Sequence, residues 1–184
     1  LEFLNLSLSS SCDPSGGVFY PEYFKNHFTF NDLTTEGPIT AIRIEGPNQS
    51  VDYRIKKLSE ELKLGNNEFV ILETEQSNIF WEKTKCLQVF SELKNNLIRI
   101  VIPPSESFEV INKIKIYDIK YFIDWGGNLI WVQLDNISLK ILREIKEIVS
   151  NAKGYLTVIK IEENLKASVD IFTIDPIKYR ITEK

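Results

Sequence analysis

The chain has no methionine, one histidine and two cysteines in 184 residues. A single imidazole, His27, rules out a multi-histidine metal site and leaves any catalytic triad with one candidate base. Cys12 and Cys86 are too few for a disulfide framework or a zinc site, and they fit a reducing compartment. Long apolar runs are missing: no stretch reaches the roughly 18 residues needed to cross a bilayer. Leu1-Glu2-Phe3 opens without the basic region and apolar core of a signal peptide. Positive charge is not in excess, because 22 Lys and Arg face 26 Asp and Glu, giving a net charge of −4. A basic footprint for nucleic acid is therefore absent. Gly-rich phosphate loops of the Walker or dinucleotide type are also missing, since Gly16-Gly17 is followed by neither a Lys nor a helical pattern. Without a methionine, Leu1 is no initiator, and a trimmed or truncated chain is the simple expectation.

At 43% hydrophobic and 26% charged, the chain has the composition of a soluble globular protein, long enough for one good core or two small fused units. Its most informative stretch is Asp124-Trp125-Gly126-Gly127-Asn128-Leu129-Ile130-Trp131. Leading into it, Tyr117, Ile119, Tyr121, Ile123 and Trp125 are apolar at every second position, with Asp118, Lys120 and Asp124 between them, the period of a strand with one buried face. Gly126-Gly127-Asn128 tolerate the positive φ of a tight hairpin. An Asp between aromatic residues and beside two glycines also lets another group approach the backbone closely.

From residue 97 the order reads β-α-β-β-α-β, the ferredoxin-like unit, over 97–160. Its parts are strand Leu97–Ile102, a helix to Ile114 capped by Ser105, strands Lys115–Asp124 and Leu129–Leu134, helix Ser138–Asn151 and strand Gly154–Lys160. Leu142, Ile145 and Val149 point inward from that second helix. Earlier, Phe3 to Ser9 alternate with three leucines and suggest a strand, and Pro21 opens a short helix through His27. Strand Ile39–Ile44 precedes a helix with the stripe Val51, Ile55, Leu58 and Leu62, closed by Gly65. Phe69–Leu72 reads as a buried strand and 76–92 as a helix burying Phe80, Leu87 and Phe90. Residues 1–92 are thus expected to form a related, more decorated unit. Asp175-Pro176 starts a last helix in a truncated segment, 161–184. The expected fold is α+β, an antiparallel sheet of seven or more strands with helices on one face.

Among chemistry-bearing residues, Cys12 has no base beside it and reads first as a structural thiol. Arg43, between Ile42 and Ile44, is either a charge pair with Glu45 or an anchor for a loop or anionic ligand.

Several stretches together resemble a known family. They are Ser11-Cys12-Asp13-Pro14, Thr40-Ala41-Ile42-Arg43-Ile44-Glu45-Gly46, Ser50-Val51 with Arg54, Val101-Ile102-Pro103-Pro104-Ser105, Tyr121–Trp131 and Ala152–Val158. In that order they are similar to the C-terminal half of the FAD-binding subunit of bacterial glycolate oxidase, in the FAD-linked oxidase superfamily. The resemblance runs from about residue 4 to 184 and implies a cap domain lacking both flavin-binding ends. It implies FAD in the intact protein and none in this fragment. It also implies partner subunits (a hydroxy-acid-oxidising flavoprotein and an iron–sulfur protein) and a cytoplasmic location, peripheral on the inner membrane through those subunits. The flavin-facing edge would carry Cys12, Arg43, Asp124 and Trp125. In the sister subunit the equivalent hairpin bears His-x-Gly-Asp-Gly-Asn-x-His. Laid onto this chain through Asn128, its two histidines become Ile123 and Ile130. The resemblance then implies an auxiliary flavoprotein subunit without metal-assisted substrate deprotonation. A free-standing small-molecule sensor and a structural interaction domain remain the other classes.

Overall fold

A computed structural model describes residues 2–28, 37–65, 69–90 and 96–172. Along the chain run α1 (Glu2–Leu8), β1 (Gly16–Tyr20), β2 (Ile39–Arg43), α2 (Asn48–Glu61), α3 (Thr74–Lys85) and β3 (Asn96–Val101). There follow α4 (Ser107–Ile114), β4 (Ile119–Asp124), β5 (Leu129–Leu134), α5 (Leu139–Asn151) and β6 (Tyr155–Lys160). The fold is α+β with antiparallel strands, six among the described residues against the seven or more expected. Chain contacts define two units, Leu1–Leu93 with Phe122–Gly127, and Lys94–Tyr121 with Asn128–Lys184.

In the second unit the strand order is β4-β5-β3-β6. Strands joined through α4 (β3 and β4) are separated by β5, and those joined through α5 (β5 and β6) by β3, which is the split β-α-β arrangement expected over 97–160. Its core is built in rows across the strands. Val132, Ile98 and Val158 form one row, and Ile130, Ile100 and Leu156 the next. All six are buried, as are Val110, Ile111 and Ile114 of α4 and Leu142, Ile145 and Val149 of α5. Each such side chain stabilises the unit by about 1.5–3 kcal/mol relative to exposure. Ser138 caps α5 by accepting the Ile141 N–H at 3.2 Å. Ser105 caps nothing: residues 104–106 first make a 3-10 turn, and Ser107 Oγ donates to the Pro104 carbonyl at 2.8 Å. Tyr117 likewise precedes its strand, in a 3-10 turn that ends at Asp118 with φ 52°, and its hydroxyl donates to Glu144 Oε2 at 2.8 Å.

The first unit does not repeat this plan. Its strand order is β2-β1-β4, and its described residues before 93 hold two strands and three α-helices. Residues 2–8 are helical, not a strand. Leu4 and Leu8 lie one turn apart and pack on Gly17, while Leu6 is exposed, so the three-leucine alternation misleads. Ser7 Oγ donates back to the Phe3 carbonyl at 2.6 Å, which satisfies a buried hydroxyl, and the exposed Ser9 Oγ does the same to that of Asn5 at 2.8 Å. Phe69–Leu72 forms no strand, and Val70 and Ile71 are exposed. Four apolar residues in a row carry no period that separates strand from coil. The expected helix at Pro21 is a 3-10 helix, Glu22–His27, and Phe80 and Phe90 are buried as expected. The helix start at Asp175-Pro176 lies outside the described residues.

The helices stop without glycine. After α2, Lys63 takes φ 56°, its N–H reaches the Glu60 carbonyl at 3.1 Å, and the Leu64 N–H reaches that of Ser59 at 2.9 Å. This is a Schellman closure two residues before Gly65. Lys153 does the same after α5, with φ 57°, and the Gly154 N–H closes on the Val149 carbonyl at 2.8 Å. A left-handed lysine is strained where glycine is not. Lys63→Gly is therefore expected to raise unfolding free energy by about 0.5–1 kcal/mol in urea titration. Gly154→Ala should lower it by about 1–3 kcal/mol, because a Cβ there would sit 2.9 Å from the Val101 carbonyl oxygen and 3.0 Å from Val149 Cγ1.

Candidate functional site

One end of the strands β2-β1-β4 gathers the residues singled out from sequence, all within the first unit. Gly16 of β1 pairs with Arg43 at the end of β2, and the Ser15 N–H donates to the Arg43 carbonyl at 2.8 Å. Phe19 pairs with Ile123 in the antiparallel sense, so Asp124 and Trp125 leave β4 at that same end. Leu8 of α1 touches positions on both Gly17 and Gly126 and fastens the turn to β1.

Arg54 of α2, which sequence reasoning left out of the site, organises the loop. Its Nε donates to the Cys12 carbonyl at 2.8 Å, Nη1 to that of Glu45 at 2.8 Å and Nη2 to that of Asp13 at 2.5 Å. Asp13 is held in the left-handed region, φ 47°. Ser11 Oγ adds a bond to Glu61 Oε1 at 2.6 Å. An arginine on a mostly solvated helix carries no pattern that would have announced this role. The Cys12 side chain is fully buried, while Ser11, Asp13 and Ser15 around it are exposed. Arg43 makes the charge pair, Nη2 to Glu45 Oε1 at 2.9 Å, with its guanidinium 5.9 Å from the Trp81 ring centre.

The turn differs from a plain two-residue hairpin. Trp125, Gly126 and Gly127 have φ of 48°, 66° and 95° in succession. Trp125, expected on the buried face of the strand, is instead 62% exposed. Asp124 Oδ1 accepts the Trp125 N–H at 2.7 Å. Desolvation pushes the Asp124 carboxyl above its ordinary range, and the Trp125 N–H pulls partly the other way. Behind it, Tyr20 donates to Thr84 Oγ1 at 2.9 Å, and burial drives its phenol well above the usual value. Ile123 and Ile130, the positions opposite the sister subunit's histidines, are each fully buried.

A separate cleft of about 330 Å³ is lined by His27, Phe28, Lys83, Gln88 and Val89. His27 is exposed, its ring edge-on to Phe24 at 5.7 Å, and no carboxylate joins it in that lining. Among the described residues no group of three or more His, Cys, Asp or Glu could hold a metal, and no helix is long and apolar enough to cross a membrane. No family model matches the chain, and no curated protein matches it in sequence.

Two changes probe the turn. Gly126→Ala is expected to cost about 1–3 kcal/mol in urea titration, because φ is 66° there and a Cβ would collide with Leu8 Cδ1. For Asp124, the folded carboxyl holds its proton above the ordinary value of 3.8. Its contribution to stability is full below that value and is lost as pH rises through the folded pKa. Asp124→Asn should therefore be more stable than the native chain at pH 7, with the difference shrinking as pH falls through the folded pKa towards 3.8 and level below it, measured by thermal unfolding across pH.

Proposed function

We propose that the chain is the cap of a flavin-dependent oxidoreductase subunit of the glycolate oxidase type, closing over the flavin ring without holding the dinucleotide. In the intact complex the hydroxy-acid-oxidising flavoprotein and the iron–sulfur subunit would be its partners, and this subunit's flavin would serve electron transfer. The observation that carries the reading is the end of β2-β1-β4, where the Cys12 loop, Arg43, Asp124 and Trp125 come together. That is the edge which the resemblance assigns to the flavin.

The donor set there suits a lid and not a dinucleotide cradle. Arg43 is committed to Glu45 and Arg54 to three backbone carbonyls, so neither presents a guanidinium to a pyrophosphate. The surface this edge turns to solvent is the Trp125 ring, with Gly126 behind it covered by Leu8. Ile123 and Ile130 supply hydrocarbon where metal-assisted deprotonation would need imidazole. Bound flavin would supply the redox chemistry, and this chain would cover the ring and exclude water from it.

Titrating the 184-residue chain with FAD should give no tight complex, and the longer protein that includes it should purify with flavin absorbance. Tight FAD retention by the 184 residues alone would refute the lid. Saturable binding of an amino acid or nucleotide would instead support a sensor built on the split β-α-β unit.

A further inference from the structure

The hairpin tip combines features that folding alone does not explain. Trp125 holds φ 48°, which bulky residues avoid, and its ring is mostly in solvent. The conformation is enforced from two sides, by the Asp124 carboxylate on the Trp125 N–H and by Leu8 packed over Gly126. Asp124 is only partly solvated, and among the described residues no Lys or Arg forms an ion pair with it. Strain, an exposed indole and a carboxylate without a cation all oppose stability, and they meet in two consecutive residues. Such a concentration marks a surface kept for binding.

We propose that Asp124 and Trp125 form a docking point for an arginine side chain of a partner protein, the indole face taking the guanidinium plane and the carboxylate pairing with it. A guanidinium suits both halves: it is planar, weakly hydrated and always charged, stacks on aromatic faces and forks onto carboxylates. A lysine ammonium is more strongly hydrated and has no plane to stack. Among the described residues the groups near Asp124 do not compete. From β1 it faces the Tyr20 phenol, which is held to Thr84, and from α1 the turn meets the hydrocarbon of Leu8. Arg43, at the same end of the sheet, is engaged with Glu45 and the Trp81 ring. The chain's net charge of −4 favours approach of a basic partner. This inference does not rest on the lid reading: it uses the same exposed ring, for which a flavin and an arginine would compete, and its test is made on the chain without flavin.

The test follows indole N–H resonances of the full chain during titration with acetyl-Gly-Arg-Gly-amide and, separately, acetyl-Gly-Lys-Gly-amide. The arginine peptide should shift the Trp125 signal saturably, leave those of Trp81 and Trp131 in place, and bind at least about fivefold tighter than the lysine peptide. Asp124→Asn should weaken it by about fivefold or more. Trp125→Asn, followed through the backbone amide of Gly126 because the indole reporter is gone, should abolish the response while raising the melting temperature by a few degrees, because asparagine accepts the left-handed region. Equal binding of the two peptides, undiminished binding by Asp124→Asn, or a melting temperature lowered by Trp125→Asn would each overturn the proposal.

Discussion

The Tyr20 ring is the point on which the first unit is hung. Its centre lies 4.8 Å from that of Phe122, 4.6 Å from Phe28, 5.9 Å from Phe24 and 6.2 Å from Phe80. Its hydroxyl, buried with the ring, is satisfied by Thr84, whose own hydroxyl passes on to the Phe80 carbonyl at 3.0 Å. A slip of one residue along β1 would turn Tyr20 to the opposite face and strand a phenol without its acceptor. The pairing of Phe19 with Ile123 is fixed by the same packing. Because that register is fixed, Asp124 and Trp125 emerge beside Gly16 and the Cys12 loop. Aromatic packing in the interior thus sets where the exposed chemistry falls.

Legibility followed the strength of local signals. β5 and α5 could be read directly: Leu129–Leu134 is bracketed by turn residues, and Ser138 followed by Leu142, Ile145 and Val149 gives both the cap and the buried stripe. The split β-α-β order over 97–160 followed from those elements. Residues 2–8 could not be read, because leucines at 4, 6 and 8 satisfy a strand period while only Leu4 and Leu8 have glycine sockets in the fold. Helix ends were misplaced for a related reason. The left-handed closures fall on Lys63, Leu87 and Lys153, residue types that give no stop signal. Phe69–Leu72 shows the opposite error, an apolar run that finds no strand partner.

The site was legible in its residues and not in its geometry. Composition drew attention to Asp124, Trp125 and Arg43, and the sheet brings them to one end. Trp125 could not be foreseen as exposed, because its place in the alternation with Ile123 and Tyr121 matched a buried face. Three successive positive φ values carry it off that face. Arg54 was hidden for a different reason. Its partners are main-chain carbonyls, and no side-chain pattern records which carbonyls a fold leaves unpaired.

The acceptors that Arg54 uses have a consequence of their own. None of the three is a carboxylate, so no proton can neutralise them. Acid would loosen a surface pair such as that between Lys113 and Glu109 by removing the carboxylate's charge. The rivet that joins α2 to the Cys12–Asp13 bend and to the exit of β2 has no such weakness, so that corner should be the last part of the unit's polar scaffold to yield as the medium turns acidic.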